Sequence, residues 1–266
     1  MALNKKDYVC FNEIPIYFSR RDKKKIQRMA GPVEIISNVC PDYPNDGKKF
    51  TFMGELGSGI SLTAKQHLEM VPYLLEHLKG LGFEIKWRIL LADLPELTKE
   101  QEEFYLRVAG SKEEYLNRCL NSCKAIKNST NGLCTPQTFL EFYGNFNLPY
   151  LRIQEEAASK ILHQATTTDF SVKFSSFLAS RMALSEKFRG KSLSIDEHKV
   201  AAAHGMSLYA THGTLLRRIY QNKNLIIVNH HTANLQNFFA CHFVDGYDDL
   251  KNSPKFPVGI LDSDLY

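Results

Sequence analysis

The chain has 266 residues, of which 44% are hydrophobic, so it can bury the core of one large domain. Its 33 Lys and Arg against 29 Asp and Glu give a net charge of +4, too small to establish a polyanionic partner by itself. No run approaches the roughly 20 apolar residues of a transmembrane helix, and the first residues lack the apolar core of a secretory signal, so we expect a soluble, cytoplasmic protein.

The first distinctive segment is basic and spans residues 19–29, SRRDKKKIQRM. Its cations are Arg20, Arg21, Lys23, Lys24, Lys25 and Arg28. Such a cluster is typical of a solvated helix face, but it also suits phosphate binding, because clustered Lys and Arg displace counterions from a polyanion. We interpret residues 1–30 as a basic N-terminal arm and residues 31–266 as a single catalytic domain.

The next segments predict strands and a helix. PVEIISNVC, from residue 32, reads as a buried strand that ends near Cys40 and Asp42, and FTFMGEL, from residue 50, is a second strand candidate. Apolar residues at helical spacing predict a helix from Ser61 to about Lys79 that ends on glycines. EIKWRILLADLPE then predicts a strand ending at Asp93, and this strand, helix, strand order implies a parallel sheet.

The second half predicts further helices and a strand. Two helices capped by Thr98 and Ser111 come first, followed by a mostly helical insertion over residues 135–192. SIDEHKVAAAHGMSLYATHGTLLRRIY predicts a long helix, with a separate piece after Gly213. NLIIVN is a buried strand, and FPVGILDSDLY predicts a last edge strand. Together these elements indicate an α/β, Rossmann-like three-layer fold with a mostly parallel sheet and helices on both faces.

Polar residues gather where the predicted strands end. In open α/β sheets the ligand crevice lies just beyond the carboxyl ends of the strands. The residues that this rule predicts to contact substrate are Cys40, Asp42, Gly57, Gly59, Asp93, Asn229, His230 and Asn234. Because side chains alternate along a strand, at most one of His230 and His231 is expected to face the site. This convergence predicts an enzyme.

The glycine turn GELGSGIS has two simple interpretations. It resembles the turn with which Rossmann-type methyltransferases hold S-adenosylmethionine, with Gly57 and Gly59 admitting the cofactor close to the backbone. The spacing argues against that interpretation, because a carboxylate for the ribose is expected roughly 20 residues after the turn, whereas the next strand ends only at Asp93. The turn also suits a plain helix cap.

Residues 50–127 as a whole resemble cyclodipeptide synthases, relatives of the class I aminoacyl-tRNA synthetase catalytic domain. In that family a strand ends near a Gly-Ser turn whose serine takes an aminoacyl group from charged tRNA, and the next strand ends in an Ala-Asp pair, which Ala92 and Asp93 match. The resemblance implies that Ser58 or Ser61 is the nucleophile. It further implies aminoacyl-tRNA as substrate, a small-molecule product and no cofactor, with the tRNA on a basic surface such as residues 20–28.

The sequence departs from that family at one motif. The family pairs a tyrosine with a glutamate four residues later on a late helix, and no Tyr-x-x-x-Glu occurs there. The nearest candidates are Glu197 as general base and Tyr209 as its hydroxyl partner. Isonitrile synthases, which share this order of elements, and an RNA-binding module without catalysis stay open as alternatives.

No residue pattern completes a metal site. Cys119 and Cys123 share a helix face but lack a second pair, so we expect core thiols rather than zinc ligands. The remaining histidines show no paired spacing; they are His198, His204, His212 and His242. The sequence leaves the oligomeric state open.

Overall fold

The computed structural model describes residues 8–11, 14–39, 62–91, 111–164, 194–229 and 256–261. The strands are β1 (Tyr8–Phe11), β2 (Ile14–Ser19), β3 (Val33–Val39), β4 (Ile85–Leu91), β5 (Thr135–Thr138), β6 (Asn224–Asn229) and β7 (Val258–Leu261). The helices are α1 (Arg20–Ile26), α2 (Leu62–Gly80), α3 (Lys112–Ser129), α4 (Phe139–Gly144), α5 (Tyr150–Gln164) and α6 (Ile195–Tyr220). None of these helices is long and apolar enough to cross a membrane.

The described strands form one sheet in the order β1-β2-β7-β6-β3-β4-β5. The five strands from β7 to β5 run parallel to one another, whereas β2 pairs antiparallel with both β7 and β1. The parallel part is therefore extended on one side by an antiparallel hairpin. This arrangement confirms the predicted mostly parallel sheet.

Helices cover both faces of the sheet. On one face α2 packs Val71, Leu74 and Leu78 into the core cluster that contains Ile35 of β3. On the other face α4, α5 and α6 pack into a second cluster around Ile36. Because successive residues of β3 point to opposite faces, its four apolar residues are divided between the two clusters, as expected for a strand buried on both sides. The predicted Rossmann-like α/β fold with helices on both faces is confirmed.

The predicted α2 and β4 agree closely with the structure. α2 ends near Gly82, whose φ of +87° suits glycine, and the amide of Phe83 closes the turn on the carbonyl of Leu78 at 3.1 Å. β4 then pairs in parallel with β3 from Val33 opposite Ile85 onward. The predicted cap of α3 is also confirmed, because Ser111 Oγ accepts a hydrogen bond from the Glu114 amide at 3.1 Å.

Two expectations for the second half were wrong. α6 is one continuous helix of 26 residues, with no separate piece after Gly213, because residues on both sides of Gly213, including Ala210, Leu215 and Leu216, are buried in the same core cluster. β7 is not an edge strand, since the β1–β2 hairpin lies outside it. The predicted helical insertion also begins with a strand, β5, before α4 and α5.

The approach of β2 to β7 requires a glycine. A Cβ atom at Gly259 would lie 2.6 Å from Cγ2 of Ile16 and 2.7 Å from Cζ of Phe18. Ile16 and Phe18 are fully buried, so they have little room to move aside. Within the predicted basic arm, residues 8–11 and 14–19 form strands of the sheet, and residues 20–26 form α1. The strand candidate FTFMGEL and the helix capped by Thr98 lie outside the described residues.

Candidate active site

Three parallel strands end side by side at one edge of the sheet. β3 lies between β4 and β6; Val39 is opposite Leu91, and Ser37 is opposite Val228. β6 therefore belongs to the same sheet as β3 and β4, as the predicted convergence of site residues requires. The carboxyl edge of β3, β4 and β6 is the place where open α/β sheets bind ligands.

Most of the sequence-predicted site residues follow these strand ends in the chain and lie outside the described residues. They are Cys40, Asp42, Gly57, Ser58, Gly59, Ser61, Asp93, His230 and Asn234. Asn229, the last residue of β6, is described, and it is buried with 6% of its surface exposed. The roles of all these residues stay predictions.

A chain of hydrogen bonds joins Asn229 to the helices. Asn38 Nδ2 donates to Asn229 Oδ1 at 2.8 Å, and Asn38 Oδ1 lies 2.9 Å from Nε2 of His212 on α6. On the other side of the imidazole, the Tyr143 hydroxyl of α4 lies 2.5 Å from Nδ1. We call Tyr143, His212, Asn38 and Asn229 the edge network. It links two helices and two strands at the carboxyl edge.

The partners determine the protonation of His212. The amide oxygen of Asn38 can only accept, so Nε2 carries the proton and Nδ1 accepts from the Tyr143 hydroxyl. Burial lowers the pKa of His212 to about 3, and it raises the pKa of Tyr143 well above its usual value, with smaller contributions from Tyr150 and Tyr220. The edge network is therefore uncharged at neutral pH.

Aromatic rings hold the network in place. Phe139 stacks on His212 with ring centroids 4.5 Å apart and an angle of 3° between the rings, and Tyr143 stacks on Tyr150 at 5.0 Å. All four residues are buried. Because the rotamers are fixed by packing, the network can hold the Asn229 amide in one orientation at the strand ends.

Sequence reasoning singled out Asn229 but missed three members of the edge network. The sequence pattern suggests for His212 only the role of a metal ligand, and it suggests no role for Asn38 or Tyr143. A usable signal exists, since Asn38 interrupts an apolar strand and His212 interrupts a helix face of small and apolar residues. Buried polar residues in such runs need partners. Among the described residues, no group of three His, Cys, Asp or Glu could hold a metal ion, and Cys119 and Cys123 are buried.

Glu197 and Tyr209 both lie on α6, but far apart. Twelve residues separate them, which corresponds to about 18 Å along the helix axis. Glu197 forms a capping box, in which its Oε2 accepts from the Ser194 amide at 2.8 Å. Hydrogen bonds from the backbone and then from the side chain of Ser194 lower the pKa of this exposed carboxyl group. Tyr209 precedes His212 by one turn, and the position four residues after it is Gly213.

The basic residues of α1 lie at the opposite edge of the sheet. β2 runs antiparallel to β7, so its carboxyl end and the start of α1 lie at the amino edge of the parallel strands. Lys25 and Arg28 accordingly border the same cavity as Asn224, the first residue of β6. Since β6 is six residues long, this cluster is about 17 Å from Asn229.

Of three comparisons with known proteins, the one with solved structures finds a similar fold. No family model matches the chain, and no curated protein matches it. Among solved structures, a cyclodipeptide synthase (CDPS) from Staphylococcus haemolyticus is similar, with 15% sequence identity and a TM-score of 0.51. The match covers 96% of this chain and 99% of that chain. The resemblance inferred from residues 50–127 is thus confirmed for the fold, and it extends over almost the entire chain.

Proposed function

We propose that this protein is an acyl transferase that takes an aminoacyl group from aminoacyl-tRNA onto a serine, as the resemblance to cyclodipeptide synthases implies. The observation that carries the proposal is the similarity of fold to a cyclodipeptide synthase over nearly the full length of both chains. A second support is the edge network, which presents a buried, oriented amide where β3, β4 and β6 end. The product would be a small molecule built from the transferred aminoacyl groups.

The proposed nucleophile is Ser58 or Ser61. α2 begins at Leu62, directly after Ser61 in the sequence, and the amides at a helix N-terminus favour developing negative charge. The serine oxygen attacks the ester carbonyl carbon, an oxyanion forms, and the ester bond to the ribose then breaks. The serine proton ends on the departing ribose oxygen. No ATP is needed, because the ester is already activated.

The edge network is proposed to position the substrate rather than to exchange a charge with it. Its neutral imidazole and phenol keep Asn229 oriented, and the amide of Asn229 would contact the aminoacyl group. Tyr209, one turn before His212, is the proposed partner of the substrate amino group. Gly57 and Gly59 would allow close approach, with contacts from Cys40, Asp42, Asp93, His230 and Asn234 as the sequence predicts.

The tRNA itself is proposed to bind cations of α1. Arg20, Arg21, Lys23 and Lys24 belong to this helix at the amino edge. A bound tRNA would therefore have to reach from the carboxyl edge, where its ester reacts, to the opposite edge of the sheet. The phosphates that contact α1 would be well removed from the ester.

The test is to trap the acyl-enzyme. The purified protein is incubated with a mixture of tRNAs charged with labelled amino acids, and intact mass reports covalent label. We expect an adduct of one aminoacyl group. One of the two variants Ser58→Ala and Ser61→Ala should lose this adduct. The control Ser111→Ala, which changes the cap of α3, should retain it. A full adduct in the double variant Ser58→Ala, Ser61→Ala would contradict the proposal.

Two further outcomes would favour the alternative functions. Saturable binding of S-adenosylmethionine, without any acyl-enzyme, would favour a methyltransferase. Salt-sensitive RNA binding that survives loss of both serines, again without an acyl-enzyme, would favour an RNA-binding module.

A further inference from the structure

A cavity opens at the amino edge of the sheet, away from the edge network. Its volume is about 270 Å³, and it lies among α1, the last turn of α6, the start of β6 and the segment before β7. Small-molecule sites commonly enclose roughly 300–1,000 Å³, so this cavity suits one compact ligand or one unit of a longer one.

The charged side chains that border the cavity, among the residues that the structure describes, are all cationic. Lys25, Arg28, Arg217 and Lys223 border it, and none of the described residues that border it is acidic. Lys25 is 3.5 Å from Asp22, whereas Arg28 and Lys223 form no ion pair with any described residue. These features favour an anionic ligand.

The rest of the wall is apolar and partly aromatic. Tyr220 and Phe256 are buried residues that border the cavity, and the Lys223 ammonium group lies 5.9 Å from the centroid of the Tyr220 ring. The hydroxyl of Tyr220 is engaged with Glu34, so it already has a hydrogen-bond partner within the protein. Aromatic and apolar walls bind planar rings well, and cations beside them bind phosphate.

We propose that this cavity binds a nucleoside phosphate, with the phosphate on Arg28 and Lys223 and the base against Tyr220 and Phe256. The ligand is either a free nucleotide or one nucleotide of a single-stranded RNA, because both present the same phosphate and base. The site lies about 17 Å from Asn229, the length of β6, and is therefore distinct from the proposed acyl-transfer site.

The experiment measures binding of AMP to the full chain by isothermal titration calorimetry at low salt. The test variant is Arg28→Glu with Lys223→Glu. The matched control is Lys79→Glu with Lys124→Glu, which makes the same change in net charge at exposed lysines that do not border the cavity. Circular dichroism and the thermal midpoint verify that both variants are folded.

We expect one AMP per chain, weakened at least about tenfold in the test variant and changed less than about threefold in the control. Adenosine and inorganic phosphate should each bind more weakly than AMP. A single-stranded RNA tetranucleotide that displaces AMP identifies RNA as the source, and AMP binding without such displacement identifies a free nucleotide; both support the site.

Three results would overturn the proposal. They are absence of binding by both AMP and the tetranucleotide, equal weakening in the test and control variants, and equal binding of AMP and inorganic phosphate. AMP binding by the double variant Ser58→Ala, Ser61→Ala keeps this test separate from the proposed function, since the cavity should still bind AMP when no serine adduct can form.

Discussion

Tyr143 and His212 are 69 residues apart in the chain, yet the Tyr143 hydroxyl lies 2.5 Å from Nδ1 of His212. Tyr143 is on the short helix α4 and His212 is in the long helix α6, and both side chains are buried, with ring centroids 5.8 Å apart. The amide oxygen of Asn38 accepts from Nε2–H of His212, so the Tyr143 hydroxyl donates to Nδ1, and Asn38 in turn donates to Asn229 and orients it. A buried pair between two helices thus determines how an amide is presented at the strand ends.

His212 should make stability depend on pH. Its pKa is lowered by burial from 6.5 to about 3, so below pH 6.5 the unfolded chain takes up a proton that the folded chain does not. The stability that the buried, neutral His212 contributes is fully present above pH 6.5 and is lost as the pH falls toward 3. At about 1.36 kcal/mol per pH unit, the free energy of unfolding should fall by about 2 kcal/mol between pH 7 and pH 5 on this account.

The measurement is urea unfolding at several pH values for the wild type, His212→Gln and His163→Gln. His212→Gln should lose this part of the pH dependence, and His163→Gln, which changes an exposed histidine of α5, should retain it. Parallel pH profiles for all three proteins would contradict the buried neutral state of His212.

Removing the Tyr143 hydroxyl should destabilise the protein and slow the proposed acyl transfer. Tyr143→Phe leaves Nδ1 of the buried His212 without its donor, which costs about 1–3 kcal/mol. The same change loosens the orientation of Asn229, so the rate of acyl-enzyme formation should fall while tRNA binding is unchanged. Urea unfolding and single-turnover kinetics check the two effects, with Tyr73→Phe as control because Tyr73 is 59% exposed.

The elements that sequence reasoning predicted correctly are those with local signals. Apolar periodicity and a glycine near its end define α2, and β-branched apolar residues define β3 and β6. The position of β7 inside the sheet could not be predicted this way, because it depends on pairing with β2, more than 200 residues earlier in the chain. The edge network could not be predicted for the same reason, since its members come from α4, α6, β3 and β6 and are joined only by tertiary packing.

Gly259→Ala should destabilise the protein by about 1–3 kcal/mol through overpacking. The new methyl group would meet Ile16 and Phe18 at less than 3 Å, and both are fully buried strand residues. The matched control is Gly144→Ala, because a Cβ atom at Gly144 meets nothing within 4 Å. Urea unfolding of both variants measures the difference, and equal stability would contradict the close approach of β2 and β7.

Under the proposed function, in which Asn229 contacts the aminoacyl group, Asn229→Ala should lower the rate of acyl-enzyme formation by about tenfold, the effect of one lost hydrogen bond. Asn38→Ala should have a similar effect, because it disconnects Asn229 from His212. If both act through the same amide, the double variant should be little slower than either single variant. Single-turnover kinetics on the three variants test this, and multiplied effects in the double variant would show that the two residues act independently.

Glu197 offers a test that separates a helix cap from a general base. Glutamine can accept the same hydrogen bond from the Ser194 amide, so Glu197→Gln should retain the capping box but remove any proton-accepting carboxylate. We expect Glu197→Gln to leave acyl-enzyme formation within about threefold of the wild type, because hydrogen bonds from Ser194 lower the pKa of Glu197 and make it a weaker base. Glu197→Ala should instead lower helicity at the start of α6, as seen by hydrogen exchange of the first amides of that helix. A large loss of rate in Glu197→Gln with unchanged exchange would establish the general-base role that the sequence predicted.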